Sequence, residues 1–226
     1  FWFGFNRSLN RNALKLKSLI HEDDLILTSM FPMHCIANKL GLEFSQIIYE
    51  PFAMFHNKDY QNGQTFLVKI FCKIVSKLYS FADIDSVKNA SKIMTLSSYE
   101  KNNCKKLYDV DSTIIYEGVD TDFFYPRDAV DLKKQFGEKI LLHSTGFDSF
   151  KGTDFLIRSM PAIIQKCPDL KLLITYTRED KLQIAYYKKF LEGKSISSSV
   201  EFLGHIPYEK LPEYYSLADL YIEPGI

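Results

Sequence analysis

The sequence predicts an α/β protein made of two parallel-sheet domains. Three observations carry that reading. After residue 138, short runs that are apolar throughout alternate with amphipathic helical patterns, in the order βαβαβαβ. Strands that are apolar on both faces belong to parallel sheets covered by helices on both sides. A stretch poor in aliphatic residues, 118–131, holding Gly118, Pro126 and several aspartates, separates this half from an earlier one. The composition supplies a core for such a fold, since the chain has 226 residues, 46% of them hydrophobic and 15% aromatic. That length suits one large or two small domains. The domains are placed at 1–125 and 126–226.

The second half reads element by element. Ile140, Leu141 and Leu142 form the first strand. A helix opens just past Gly152, with Thr153 or Asp154 placed to cap it, and Leu156, Met160, Ile163 and Ile164 recur along it at helical spacing. Pro168 stops that helix, and 170–174 is a buried strand. Residues 180–191 are helical, and 200–203 form a short strand ending at Gly204. Leu211, Tyr214, Tyr215 and Ala218 make another helical stripe before a strand at 220–222. In the first half a helix follows Pro32 and a longer one follows Pro51.

Residues 138–152 are the most informative. An apolar run leads into His143-Ser144-Thr145, then Gly146, then a polar loop closed by Lys151-Gly152. This is a strand, a loop and a helix N-terminus with one cation beside them. The first N–H groups of a helix have no acceptor within it, and the helix dipole favours negative charge there. Lysine adds a compact point charge suited to phosphate. The alternative is an ordinary βα turn with a solvated lysine. Lys151, Tyr176 and His205 all lie just past strand ends, where parallel sheets bind their ligands, and are expected to converge on one crevice.

From Lys92 onward a set of motifs recurs in a fixed order. Ile93-Met94-Thr95-Leu96-Ser97 comes first, then Tyr116-Glu117-Gly118-Val119-Asp120 with Phe123, Phe124 and Pro126. Gly146 and Lys151-Gly152 follow, then Val200-Glu201-Phe202-Leu203-Gly204, and finally 214–224, ending in Tyr221-Ile222-Glu223-Pro224. In this order the set resembles the C-terminal half of the retaining glycosyltransferases of GT-B fold, family 4, or group 1. Tyr49-Glu50-Pro51, a long helix and Asp85-Ser86-Val87 resemble the acceptor-side domain of the same family. The resemblance implies two Rossmann-like domains, both incomplete here: an acceptor-side one at 1–125 and one binding a nucleotide sugar at 126–226.

It further implies transfer of a hexose from a nucleotide diphosphate sugar to a glycan or lipid-linked acceptor hydroxyl, with retention of configuration. Lys151 is the implied catalytic residue, stabilising charge on the leaving diphosphate. Thr145, Gly146, Phe147, Gly152, Tyr176, Gly204 and His205 join it on the donor side, and Glu50 and His56 are placed on the acceptor side. No metal and no cofactor are expected.

The chain departs from the family in several places. Phe147 stands where members carry an arginine, and Tyr176 where they carry a glycine. The acceptor-side histidine is missing near Tyr49, with His56 nearby but out of register. The paired-glutamate motif that grips the donor sugar lies past the proline matching Pro224, and the opening strand is missing. The chain is therefore read as an internal fragment lacking both ends, expected to be inactive alone, with a degenerate binding module as the alternative.

Composition excludes other classes. Lysine plus arginine equals aspartate plus glutamate, giving zero net charge, which argues against nucleic acid as partner. The four cysteines form no paired motif and read as reduced thiols of a cytoplasmic protein. There is no GxSxG, HExxH or Walker loop. His34-Cys35 is read as an ordinary helix packing Cys35 inward, because adjacent helical residues point apart. In 66–79, Lys69, Lys73 and Lys77 form one stripe, with Leu67, Ile70, Phe71, Ile74, Val75 and Leu78 opposite. A solvated lysine face is favoured there over peripheral contact with an anionic membrane.

Overall fold

The computed structural model describes residues 5–21, 23–147, 151–176 and 181–225. The chain divides into two compact units, Phe1–Gly118 and Val119–Ile226. That division falls at the head of the 118–131 stretch, earlier than the expected boundary at 126.

The first unit runs α1 (Phe5–Lys17), β1 (Leu27–Thr28), α2 (Met33–Lys39), β2 (Ser45–Ile48), α3 (Ala53–His56), α4 (Lys58–Gly63), α5 (Phe66–Lys88), β3 (Lys92–Thr95), α6 (Ser98–Tyr108) and β4 (Thr113–Ile114). Its strands form one parallel sheet in the order β1-β2-β3-β4. The second unit runs α7 (Val130–Phe136), β5 (Lys139–His143), α8 (Thr153–Lys166), β6 (Leu170–Thr175), α9 (Lys181–Gly193), β7 (Val200–Gly204), α10 (Leu211–Leu217) and β8 (Leu220–Tyr221). Its sheet, in the order β7-β6-β5-β8, is also parallel throughout. Strand order doubles back at β5, between β6 and β8. Crevices at such reversals are where open parallel sheets bind ligands.

Alternation along the strands fills both faces of the second sheet. Leu141, Leu172, Ile174 and Val200 point to one side, against Leu156, Ile157 and Met160 of α8 and Tyr187 and Leu191 of α9. Ile140, Leu142 and Leu173 point to the other, against Phe136 of α7 and Leu217 of α10. This is why these strands read as unbroken apolar runs.

Two expectations are corrected here. Neither Thr153 nor Asp154 caps α8. The N-cap is Gly152, at φ 72°, with no side-chain cap. Thr153 turns inward instead, and the first turn of the helix keeps its amides clear of its own side chains. The second correction concerns α5. Its inward stripe is Cys72, Val75, Asp83, Ser86 and Val87, because α2, α3 and α4 contact it along one strip. Of the apolar side expected from the helical wheel, Leu67, Ile70, Ile74 and Leu78 are exposed.

Leu172→Ala removes a fully buried side chain from the middle of the second sheet. It should cost about 2–5 kcal/mol, the range for core truncations. Leu182→Ala, at a position 86% exposed, should stay within about 0.5 kcal/mol of the parent. Denaturant unfolding of the two variants checks both.

Candidate functional site

The corner between β5 and α8 is built on His143. The last residue of β5 is fully buried, and its ring ties three pieces of chain together. Nδ1 lies 2.9 Å from the Ile222 carbonyl oxygen. A carbonyl can only accept, so Nδ1 carries the proton and Nε2 is left as acceptor. The hydroxyls of Thr153 and Thr145 reach Nε2 at 2.8 and 3.2 Å. Thr153 also contacts the Gly146 carbonyl oxygen. It has one proton for two acceptors, so Thr145 serves Nε2 when Thr153 serves Gly146. Burial pushes the His143 pKa down, which keeps the ring neutral.

The glycines of this corner have distinct jobs. Gly146 has φ 83° and Gly152 φ 72°, a region that side chains with a Cβ avoid. A Cβ on Gly152 would sit 2.3 Å from the Pro224 carbonyl oxygen. The backbone after β8 therefore lies directly on the start of α8. Lys151 stands beside it, Nζ 3.2 Å from Glu223 Oε1, with the two side chains 33% and 37% exposed. A pair this exposed is worth about 0–1 kcal/mol. The pair with Glu223 is therefore a weak tie on Lys151.

The neighbouring strand ends complete the edge. Tyr176 N donates to the Gly204 carbonyl oxygen at 3.0 Å. The Tyr176 side chain lies beside both Gly146 and Gly204, at 3.9 and 4.0 Å from the positions a Cβ would take there. His205 is exposed just beyond. Thr145, Gly146, Lys151, Gly152, Tyr176, Gly204 and His205 thus share one edge of one sheet. Phe147 differs from the rest. Its ring packs on Tyr176 at 4.9 Å, Tyr187 at 6.1 Å and Phe202 at 6.3 Å, at the margin of the core. An arginine there would have to leave that packing, so Phe147→Arg adds no ready phosphate fork. Sequence reasoning missed His143 and Glu223. A histidine closing an apolar strand was the available signal for the first. Glu223 stood in the closing motif 221–224, but nothing local paired it with Lys151, 72 residues away.

The first unit holds a separate buried polar cluster. Asp83, on the inward stripe of α5, meets His34 Nε2 at 2.9 Å and His56 Nε2 at 2.7 Å. Tyr108 OH donates to it at 3.0 Å. Burial works against both charged forms, but the mutual hydrogen bonds and charges outweigh it. They push His34 up to about 9 and hold Asp83 at about 2. Burial, reinforced by the Asp83 charge, also drives the Tyr108 phenol upward. A cavity of about 340 Å³ lies beside the cluster, lined by His34, Gln46, Tyr49, Glu50, Asp83 and Tyr108 among others. Glu50 is exposed at its mouth, past the end of β2. His56 is turned to Asp83. His34 is buried along with Cys35, against the expectation that only Cys35 faces inward, because α2 is packed between α1 and α5. Among the described residues no group of three or more His, Cys, Asp or Glu is placed to hold a metal ion.

The cluster has a pH signature. The raised His34 pKa contributes stability that is full below about 6.5 and lost as pH rises through about 9. The lowered Asp83 pKa contributes stability present above 3.8 and lost as pH falls through about 2. His143 works the other way below about 6.5, since its neutral form is the folded one. Asp83→Asn should cost about 3–5 kcal/mol near neutral pH, the scale for breaking a buried pair. The difference between parent and variant should shrink toward pH 9 and toward pH 2, while the His143 component stays in both. Urea titrations across that range read this directly.

Residues 138–226 match the family model described as Glycosyl transferases group 1. The phosphatidylinositol N-acetylglucosaminyltransferase GPI3 subunit of Saccharomyces cerevisiae is 25% identical over 166 residues, covering 66% of this chain and 36% of the relative. Sucrose-phosphate synthase from Thermosynechococcus elongatus superposes with a TM-score of 0.73 at 19% identity, over 97% of this chain and 55% of that one. HepE of Anabaena, solved in complex with UDP, gives a TM-score of 0.69 at 16% identity, over 94% and 56%. The chain thus spans about a third of the length of the curated relative and just over half of these structures. The β5–α8 corner and the strand ends around it lie in the segment, residues 138–226, that matches the group 1 family model, on a chain with the GT-B fold of the structures it superposes on.

Proposed function

We propose that this protein transfers a hexose from a nucleotide diphosphate sugar to a hydroxyl of a glycan or lipid-linked acceptor, with retention of anomeric configuration, on the cytoplasmic side of the cell. One observation carries the reading: Lys151 and the uncapped start of α8 stand at the strand-order reversal, inside the segment that matches the group 1 family. The leaving group of such a transfer is a diphosphate. Its departure needs charge stabilised on phosphate oxygens, which fixed cations and oriented amides provide. Lys151 supplies the cation and the first turn of α8 the amides. Gly146 and Gly152 let backbone come close to the phosphates. The mechanism needs no metal ion, since these groups face the charge directly. Tyr176, Gly204 and His205 border the place for the nucleoside, and the UDP held by HepE is consistent with a nucleotide there. Glu50, beside the cavity of the first unit, is assigned to the acceptor.

A second reading, a module that binds a nucleotide sugar without transferring it, is favoured by Phe147. An aromatic ring committed to packing stands where the resemblance implies a phosphate-binding arginine. Offering UDP-, GDP- and ADP-hexoses to the full-length protein with glycan and lipid-linked acceptors separates the two. Transfer is expected with one donor, and Lys151→Ala should lower it by about two orders of magnitude or more. Saturable nucleotide binding without any product would establish the second reading. Unchanged turnover in Lys151→Ala would remove the lysine from the mechanism.

A further inference from the structure

We infer that the outward face of α5 docks the protein on an anionic lipid surface. Leu67, Ile70, Ile74, Leu78 and Phe81 are 76%, 42%, 53%, 63% and 76% exposed. Their spacing of three and four residues puts them on one side of the helix, as a ridge about 21 Å long at 1.5 Å per residue. Apolar side chains scattered singly over a surface need no explanation, but a continuous exposed ridge marks a contact face. The inward stripe of the same helix is already satisfied by α2, α3 and α4, so packing within the unit does not account for the ridge.

The charges around the ridge select its occupant. Lys69, Lys73 and Lys77 each precede a ridge residue by one position, and so run along one shoulder of it. Lys73 and Lys77 are exposed and Lys69 is half-buried. Residues 66–82 contain no aspartate or glutamate. Asp85, exposed one turn past Phe81, closes the ridge at its C-terminal end. Along the ridge itself the flanking charges of α5 are lysines, which complements a surface that is apolar beneath and anionic on top, the boundary of an anionic bilayer. Helices of this kind lie in the interface plane, with the apolar face buried about 5–10 Å. No described helix is long and apolar enough to cross a membrane, so the contact is a helix lying on the surface. A second copy of the chain would place lysine shoulders against each other or against a ridge, where their charge finds no partner.

Sedimentation of the full-length protein with vesicles tests this. Vesicles of phosphatidylcholine with phosphatidylserine as the minor component should carry the protein down at low ionic strength. High salt should weaken the association, because the attraction is screened over about 8 Å at physiological ionic strength. Changing Lys69, Lys73 and Lys77 together to Gln should weaken partition to these vesicles on the order of a hundredfold, while leaving partition to pure phosphatidylcholine unchanged. The triple change Ile70→Glu, Ile74→Glu and Leu78→Glu should abolish binding to both. Because these side chains are exposed, circular dichroism should show that variant folded. The inference is overturned if the parent stays in the supernatant with anionic vesicles, or if the folded glutamate variant pellets like the parent. It is equally overturned if size exclusion shows a parent dimer that the glutamate changes dissolve and that ignores vesicles. In that case a second copy, not lipid, covers the ridge.

Discussion

One buried, neutral imidazole organises the candidate donor corner. His143 closes the central strand of its sheet and holds, through two ring nitrogens, the chain after β8 and the first residue of α8. A charged ring could not stay there at small cost, and an apolar one would take the donor from the Ile222 carbonyl in a dry site and release the Thr153 and Thr145 hydroxyls from the ring. Everything that faces outward depends on that arrangement. Gly146 and Gly152 sit at the two bends beside it, Lys151 stands between them in sequence, and Glu223 follows directly on Ile222, the residue the ring holds just past β8. The chemistry proposed for the corner is therefore one layer removed from the group that shapes it.

The two units use buried polar groups differently. At the corner of the second unit the buried group is uncharged and serves backbone. In the first unit Asp83 is a buried carboxylate with three donors around it, drawn from α2, α3 and α6. Such a centre is expensive to desolvate, and it holds only because each oxygen is met by a donor. It fixes how three helices meet along α5, beside the cavity of about 340 Å³. That ties the placing of Glu50 to the packing of the helices behind it.

The sequence made the architecture legible wherever burial was two-sided. β5, β6 and β7 were readable because alternate residues such as Leu141 and Leu142 enter different cores, so no polar residue interrupts them. The edge of glycines and Lys151 was readable because turn chemistry is local. The partners of the buried polar groups were not. Asp83 is 49, 27 and 25 residues from the groups that satisfy it, and in sequence it passes for a surface acid. Its place on the inward spacing of Cys72 and Val75 was the one local hint. The α5 wheel misled for a related reason. Hydrophobicity locates an apolar arc, but only neighbouring helices decide which part of that arc is covered.

The contact of Gly152 with the Pro224 backbone has a mechanical consequence. Two segments touching main chain to main chain, with no side chain between them to absorb strain, move together. A side chain at 152 would force residues 223–225 off the start of α8, so the two segments can keep this arrangement only while 152 is glycine. The stretch of chain that follows β8 is thus part of the wall of the corner, and a substitution at 152 would be felt there as well as at Lys151.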